Sequence, residues 1–200
     1  MKKVLLLGDS IRLNYMPKVF RNLDGIAEVV GPEDNCRFVR YTIANIREWL
    51  GIYGNPDVIH WNNGIWDVHH FLDGDDRILT TSDEYLADLE RLYNRLRLTG
   101  AKIIFATSTP CKEGYPLMNN EDIIRYNAAA VELLKDKVDE INDLYSLVNS
   151  DVEKYICEDN LHLNKEGIAA AEIRLPKLLK NICKNFKVGN ENENYLEKFI

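Results

Sequence analysis

The sequence predicts an α/β protein, a three-layer α/β/α sandwich of flavodoxin-like shape built on a five-stranded, mainly parallel sheet. Three observations lead there. Short apolar runs alternate with longer amphipathic ones from end to end, which is the pattern of a parallel sheet carrying helices on both faces. The short runs are almost wholly aliphatic or β-branched, as strands covered on both sides must be. A chain of 200 residues that is 46% hydrophobic and shows no internal repeat fits one domain and one core.

Strands are predicted at Lys3 to Leu7, Ala27 to Val30, Val58 to Trp61, Lys102 to Thr107 and Val138 to Ile141. Between the first two, Asn14 is a suitable cap for a helix that admits Pro17 in its first turn, carries Val19, Phe20 and Leu23 at helical spacing, and stops at Gly25. That reading leaves Ser10 in a loop ahead of the helix. Further helices are predicted over Phe38 to Leu50, Ser82 to Leu98, Asn120 to Lys137 and Lys165 to Asn185. The helix from Ser82 has Leu86, Leu89, Leu92 and Leu96 along one stripe and ends near Gly100. Residues 1–187 are expected to form the folded, site-bearing domain. After Phe186 the composition turns polar, so 188–200 is expected to be a tail in which Tyr195 to Ile200 docks as a last turn or touches a neighbour, leaving an oligomer open.

A formal charge of −7 opposes binding to nucleic acid or to anionic lipid, which leaves neutral or cationic small molecules as partners. Met1-Lys2-Lys3 followed by Val4 to Leu7 imitates the start of a signal peptide, but the apolar stretch is short and no small-residue cleavage site follows. It reads as the first core strand. No run approaches the roughly 20 apolar residues that span a bilayer, so no membrane is expected. Cys36, Cys111, Cys157 and Cys183 have no C-x-x-C spacing, which suits buried, reduced thiols and a cytoplasmic location.

The chemistry-bearing residues stand at the two ends of the chain. Val4-Leu5-Leu6-Leu7 stops at Gly8-Asp9-Ser10-Ile11, which sets a hydroxyl at the carboxyl edge of a sheet, where open α/β folds keep their sites. Far downstream, Asp159-Asn160-Leu161-His162 places a carboxylate and an imidazole three positions apart, close enough on a tight turn for the acid to hold the ring while its far nitrogen faces the serine. Taken singly, Ser10 is a turn former and Asp159 a helix cap. Together they make a Ser10–His162–Asp159 triad, with no cofactor and no metal required.

These residues resemble the SGNH hydrolases, the GDSL-like esterases and lipases, over most of the chain. Gly8-Asp9-Ser10-Ile11 is similar to the family's first block and Asp159-Asn160-Leu161-His162 to its last, in the same order. The resemblance implies the flavodoxin-like sandwich and acyl transfer to water. It also implies an oxyanion hole built from the Ser10 N–H, a glycine after the second strand and an asparagine in a G-x-N-D block after the third. The middle blocks depart. Asn62-Asn63-Gly64-Ile65-Trp66-Asp67 puts Trp66 where the asparagine would stand, so Asn62 or Asn63 is the substitute. Gly31-Pro32-Glu33-Asp34-Asn35-Cys36-Arg37 has no glycine at the turn, so a backbone N–H of Cys36 or Arg37 must serve. Asp9, Trp66 and His69 are expected to border the substrate. The expected activity is hydrolysis of short, acetyl-like esters of a carbohydrate or other small alcohol.

Two other classes stay open at this stage. One is a catalytically impaired relative used for binding or interaction. The other is a nucleotide-binding module, against which stands the lack of G-x-G-x-x-G and of G-x-x-x-x-G-K-[ST]. A metal site at His60, Asp67, His69, His70, Asp73, Asp75 and Asp76 is disfavoured because adjacent His69 and His70 point apart and the aspartates lack the calcium-loop pattern. The loop Thr109 to Pro116 is expected to cover one side of the cleft.

Overall fold

A computed structural model describes residues 1–71 and 77–184. The expected tail at 188–200 and the Asp73, Asp75 and Asp76 loop lie outside the described residues. Five strands, β1 (Lys2–Leu7), β2 (Ala27–Val30), β3 (Val58–Trp61), β4 (Lys102–Ala106) and β5 (Glu140–Asn142), form one sheet in the order β2-β1-β3-β4-β5. Every pairing is parallel, with Val4 beside Val58 and Leu7 beside Trp61. The helices are α1 (Ser10–Asn22), α2 (Val39–Tyr53), α3 (Ser82–Leu96), α4 (Asn120–Leu134), the short α5 (Leu144–Asn149) and α6 (Val152–Tyr155), and α7 (Lys165–Lys184).

The sheet shows why its strands read as unbroken apolar runs. Alternate residues go to opposite faces. Leu5, Leu7, Ile59, Trp61, Ile103 and Phe105 pack with α2, α3 and α4, whereas Val4, Leu6, Val58 and Ile104 pack with α1 and α7. Each buried aliphatic side chain is worth about 1.5–3 kcal/mol. Parallel strands cannot be joined by hairpins, so every crossover helix brings the chain back and leaves its next loop at the same carboxyl edge.

The first helix differs from expectation. It begins at Ser10 rather than after Asn14, because the Asp9 side chain accepts the Ile11 amide at 2.8 Å and caps the helix one turn earlier. Pro17 therefore lies inside α1, where a missing N–H costs about 3 kcal/mol. Burial of Ile11, Tyr15 and Val19 along one face outweighs that penalty. The last strand lies at 140–142 rather than 138–141, and α5 and α6 were not anticipated, being too short to show a periodicity.

Candidate active site

Ser10 is the first residue of α1, directly beyond the carboxyl end of β1. Its amide, like those of any first helical turn, has no intrahelical acceptor. The turn is tight because Gly8 carries no side chain: a Cβ there would lie 2.9 Å from Arg12 Cβ. Arg12, only 1% exposed, folds back over this turn. Its guanidinium donates to the carbonyls of Gly8 at 3.2 Å, Pro32 at 2.6 Å and Asp34 at 2.8 Å, tying the β1–α1 turn to the β2–α2 loop. Sequence reasoning missed this residue. Its signal was a cation at helical spacing from the apolar Tyr15 and Val19.

The opposite wall comes from the segment between α6 and α7. Ile156 and Leu163 pair across it, and the Cys157 amide donates to the His162 carbonyl at 2.7 Å. Asn160 takes a left-handed φ of 68°, which an asparagine tolerates better than most residues. Asp159 then collects three donors. Its Oδ1 accepts the amides of Leu161 at 3.0 Å and His162 at 2.9 Å, and its Oδ2 lies 2.7 Å from His162 Nδ1. Partial burial pushes the Asp159 carboxyl up, but the two amides and the ring outweigh it and hold it below the usual range. With Nδ1–H given to the carboxylate, His162 Nε2 is left as an acceptor. It lies 2.9 Å from Ser10 Oγ, across 152 positions of sequence.

These side chains open into a cleft of about 270 Å³ that also includes Ile11, Asn35, Trp66, His69 and Tyr115. Trp66 and His69 thus line the same cleft as Ser10, their rings stacked 5.9 Å apart. Burial, then the charge of His70, lowers the His69 pKa and favours a neutral ring. Tyr115 brings the loop after β4 over the far side, as the sequence suggested. A larger hollow of about 580 Å³ beside Phe71, Leu79 and Arg125 includes neither Ser10 nor His162, and its hydroxyl–carboxylate pair, Thr81 and Glu84 at 2.8 Å, is the capping box of α3.

Several expected site residues are placed elsewhere. Asp9 is 1% exposed and spends its carboxylate on the Ile11 amide, so it caps α1 and borders no substrate space. Burial raises the Asp9 pKa, against the pull of the Ile11 amide and Arg12. Asn63 is also 1% exposed, and its amide nitrogen donates to the Arg37 carbonyl at 2.8 Å and to Thr42 Oγ1 at 3.1 Å. Both of its hydrogens are consumed in structural bonds. Asn62 donates to the Ala106 carbonyl at 2.8 Å and borders a void of only about 10 Å³ behind the serine turn. The Cys36 amide donates to the Gly8 carbonyl at 3.1 Å, and the Arg37 amide to Asn35 Oδ1 at 2.8 Å. None of these four residues is among those lining the cleft.

The histidines are dispersed as well. His60 is fully buried beneath α1 beside Asn142, and desolvation pushes its pKa down to about 3. Asp67 accepts the Val39 amide at the start of α2, and burial pushes its pKa up to about 7. His70 pairs with Asp122 at 2.9 Å. Among the described residues no group of three or more His, Cys, Asp or Glu is placed to hold a metal ion, and no helix is long and apolar enough to cross a membrane.

No family model and no curated protein matches the sequence. Solved structures do match. An acetyl xylan esterase, AlAXEase, superposes with a TM-score of 0.74 at 19% identity, over 88% of this chain and 99% of that one. The lipase/acylhydrolase from Enterococcus faecalis gives 0.74 at 19%, over 96% and 100%. Axe2, an acetylxylan esterase from Geobacillus stearothermophilus, gives 0.70 at 20%, over 96% and 97%. The chain shares their α/β/α fold along nearly its whole described length.

Proposed function

We propose that this protein is a serine esterase that removes short, acetyl-like acyl groups from a carbohydrate or other small alcohol. The single observation that carries the reading is the 2.9 Å approach of Ser10 Oγ to His162 Nε2. It is supported by the 2.7 Å contact of the same ring with Asp159. The 270 Å³ cleft has room for a small ester, and folds of this kind occur among acetyl xylan esterases.

Ser10 Oγ attacks the ester carbonyl carbon as its proton passes to His162 Nε2, while Asp159 orients the ring and offsets its charge. The carbonyl oxygen becomes an oxyanion near the free amide of Ser10. The C–O bond to the alcohol then breaks, and His162 returns the proton to the leaving oxygen, giving acyl-Ser10. A water molecule, deprotonated by the same nitrogen, attacks the acyl carbon and releases the acid and the serine hydroxyl.

The test is hydrolysis of p-nitrophenyl acetate and of acetylated sugars, with fluorophosphonate labelling of the serine. Ser10→Ala and His162→Ala are expected to lose on the order of 10⁴-fold or more in kcat with unchanged unfolding curves. Wild-type turnover by Ser10→Ala would sink the assignment. An inert, unlabelled wild-type protein would favour the binding or interaction alternative.

A further inference from the structure

The donors expected for the oxyanion are nearly all engaged elsewhere. Asn63 donates to Arg37 and Thr42, Asn62 lies behind the serine turn, the Cys36 amide is bound to Gly8, and the Arg37 amide is bound to Asn35. A tetrahedral intermediate stabilised by the Ser10 amide alone would lack the second donor that acyl transfer normally uses. Of the polar side chains on the cleft wall, which also include Trp66, His69 and Tyr115, Asn35 is the primary amide. Asn35 borders the same space as Ser10 and His162, and its Nδ2 donates to no described residue.

We propose that the Asn35 side-chain amide is the oxyanion donor, replacing the asparagine that the β3 loop would otherwise supply. The inference rests on the esterase reading above. Three features hold Asn35 ready. Its Oδ1 accepts the Arg37 amide at 2.8 Å, closing an Asx turn. Because the amide is planar, fixing the oxygen on the turn directs Nδ2 away from it. The turn itself is held open by Arg37, whose φ of 49° lies in the left-handed region and whose guanidinium sits 4.7 Å from the Tyr41 ring. Arg12, through the carbonyls of Pro32 and Asp34, anchors the preceding residues to the serine turn. A donor fixed before the charge develops costs no reorganisation when it is needed.

Two substitutions separate donation from mere turn support. Asn35→Asp keeps an oxygen for the Arg37 amide, and Asn35→Ser keeps a neutral one in an ST turn, while both remove the amide donor. Both are expected to lose on the order of 10²- to 10³-fold in kcat on p-nitrophenyl acetate, with KM changed less than about threefold and thermal unfolding unchanged. Retention of wild-type kcat by Asn35→Ser overturns the proposal, as does a loss confined to KM. The Ser10→Ala control keeps the two readings apart. If Ser10→Ala is dead and Asn35→Ser is fully active, the esterase stands and the oxyanion assignment falls.

Discussion

The two turns that meet at the cleft are built by opposite means. The Ser10 turn is interior: Asp9 and Arg12 are each 1% exposed, and their polar groups are spent on backbone atoms of two loops. The Asp159–His162 turn is on the surface, with the Asp159 side chain 51% and His162 34% exposed. It holds its shape through short-range bonds among residues 156–163 and one from the Lys112 amide to the Asn160 carbonyl. The difference teaches that stability and chemistry are coupled on one side and separable on the other.

The largest expected effect tests the buried side. Arg12→Met strands the carbonyls of Gly8, Pro32 and Asp34 and leaves Asp9 without its neighbouring cation, so unfolding stability should fall by about 3–5 kcal/mol in a denaturant titration. Arg12→Lys should recover little, because an ammonium cannot fork to several carbonyls. A loss under about 1 kcal/mol would erase the contrast.

Next comes Asp159→Asn, which should cost on the order of 10²-fold in kcat. A fully buried triad acid would cost roughly 10⁴. Water reaches this pair and partly replaces the carboxylate, and stability should move by less than about 0.5 kcal/mol. A large drop in melting temperature would show that the acid is also structural.

The smallest effect belongs to Asn160. Replacement by Ala forces a Cβ that dislikes φ of 68° and should cost about 1 kcal/mol, whereas Asn160→Gly should be nearly neutral. Equal behaviour of the two variants would mean that the turn adopts another shape without penalty.

The sequence was legible where one residue's role depends on its near neighbours. Leu5, Leu6 and Leu7 announce a strand covered on both faces, and Asp159 and His162 are joined by a single turn. It was opaque where the partner is remote. Asn63 reads as a polar loop residue until Trp61, Arg37 and Thr42 are seen to consume its side chain. Asn35 reads as a turn former, which it is, but its place on the cleft wall depends on how the β2–α2 loop is fastened to α1 by Arg12. The sequence places the start of α1 too late because Asn14 is itself a suitable cap and Pro17 argues for a first turn beyond it, whereas the fold uses Asp9.

Helices α1 and α7 lie side by side, although they are the first and last helices described. Loops that close over such long sequence separations form late, after local contacts have condensed. The meeting of Ser10 with His162 is thus expected late in folding, so refolding followed by ester turnover should lag behind the recovery of helical signal.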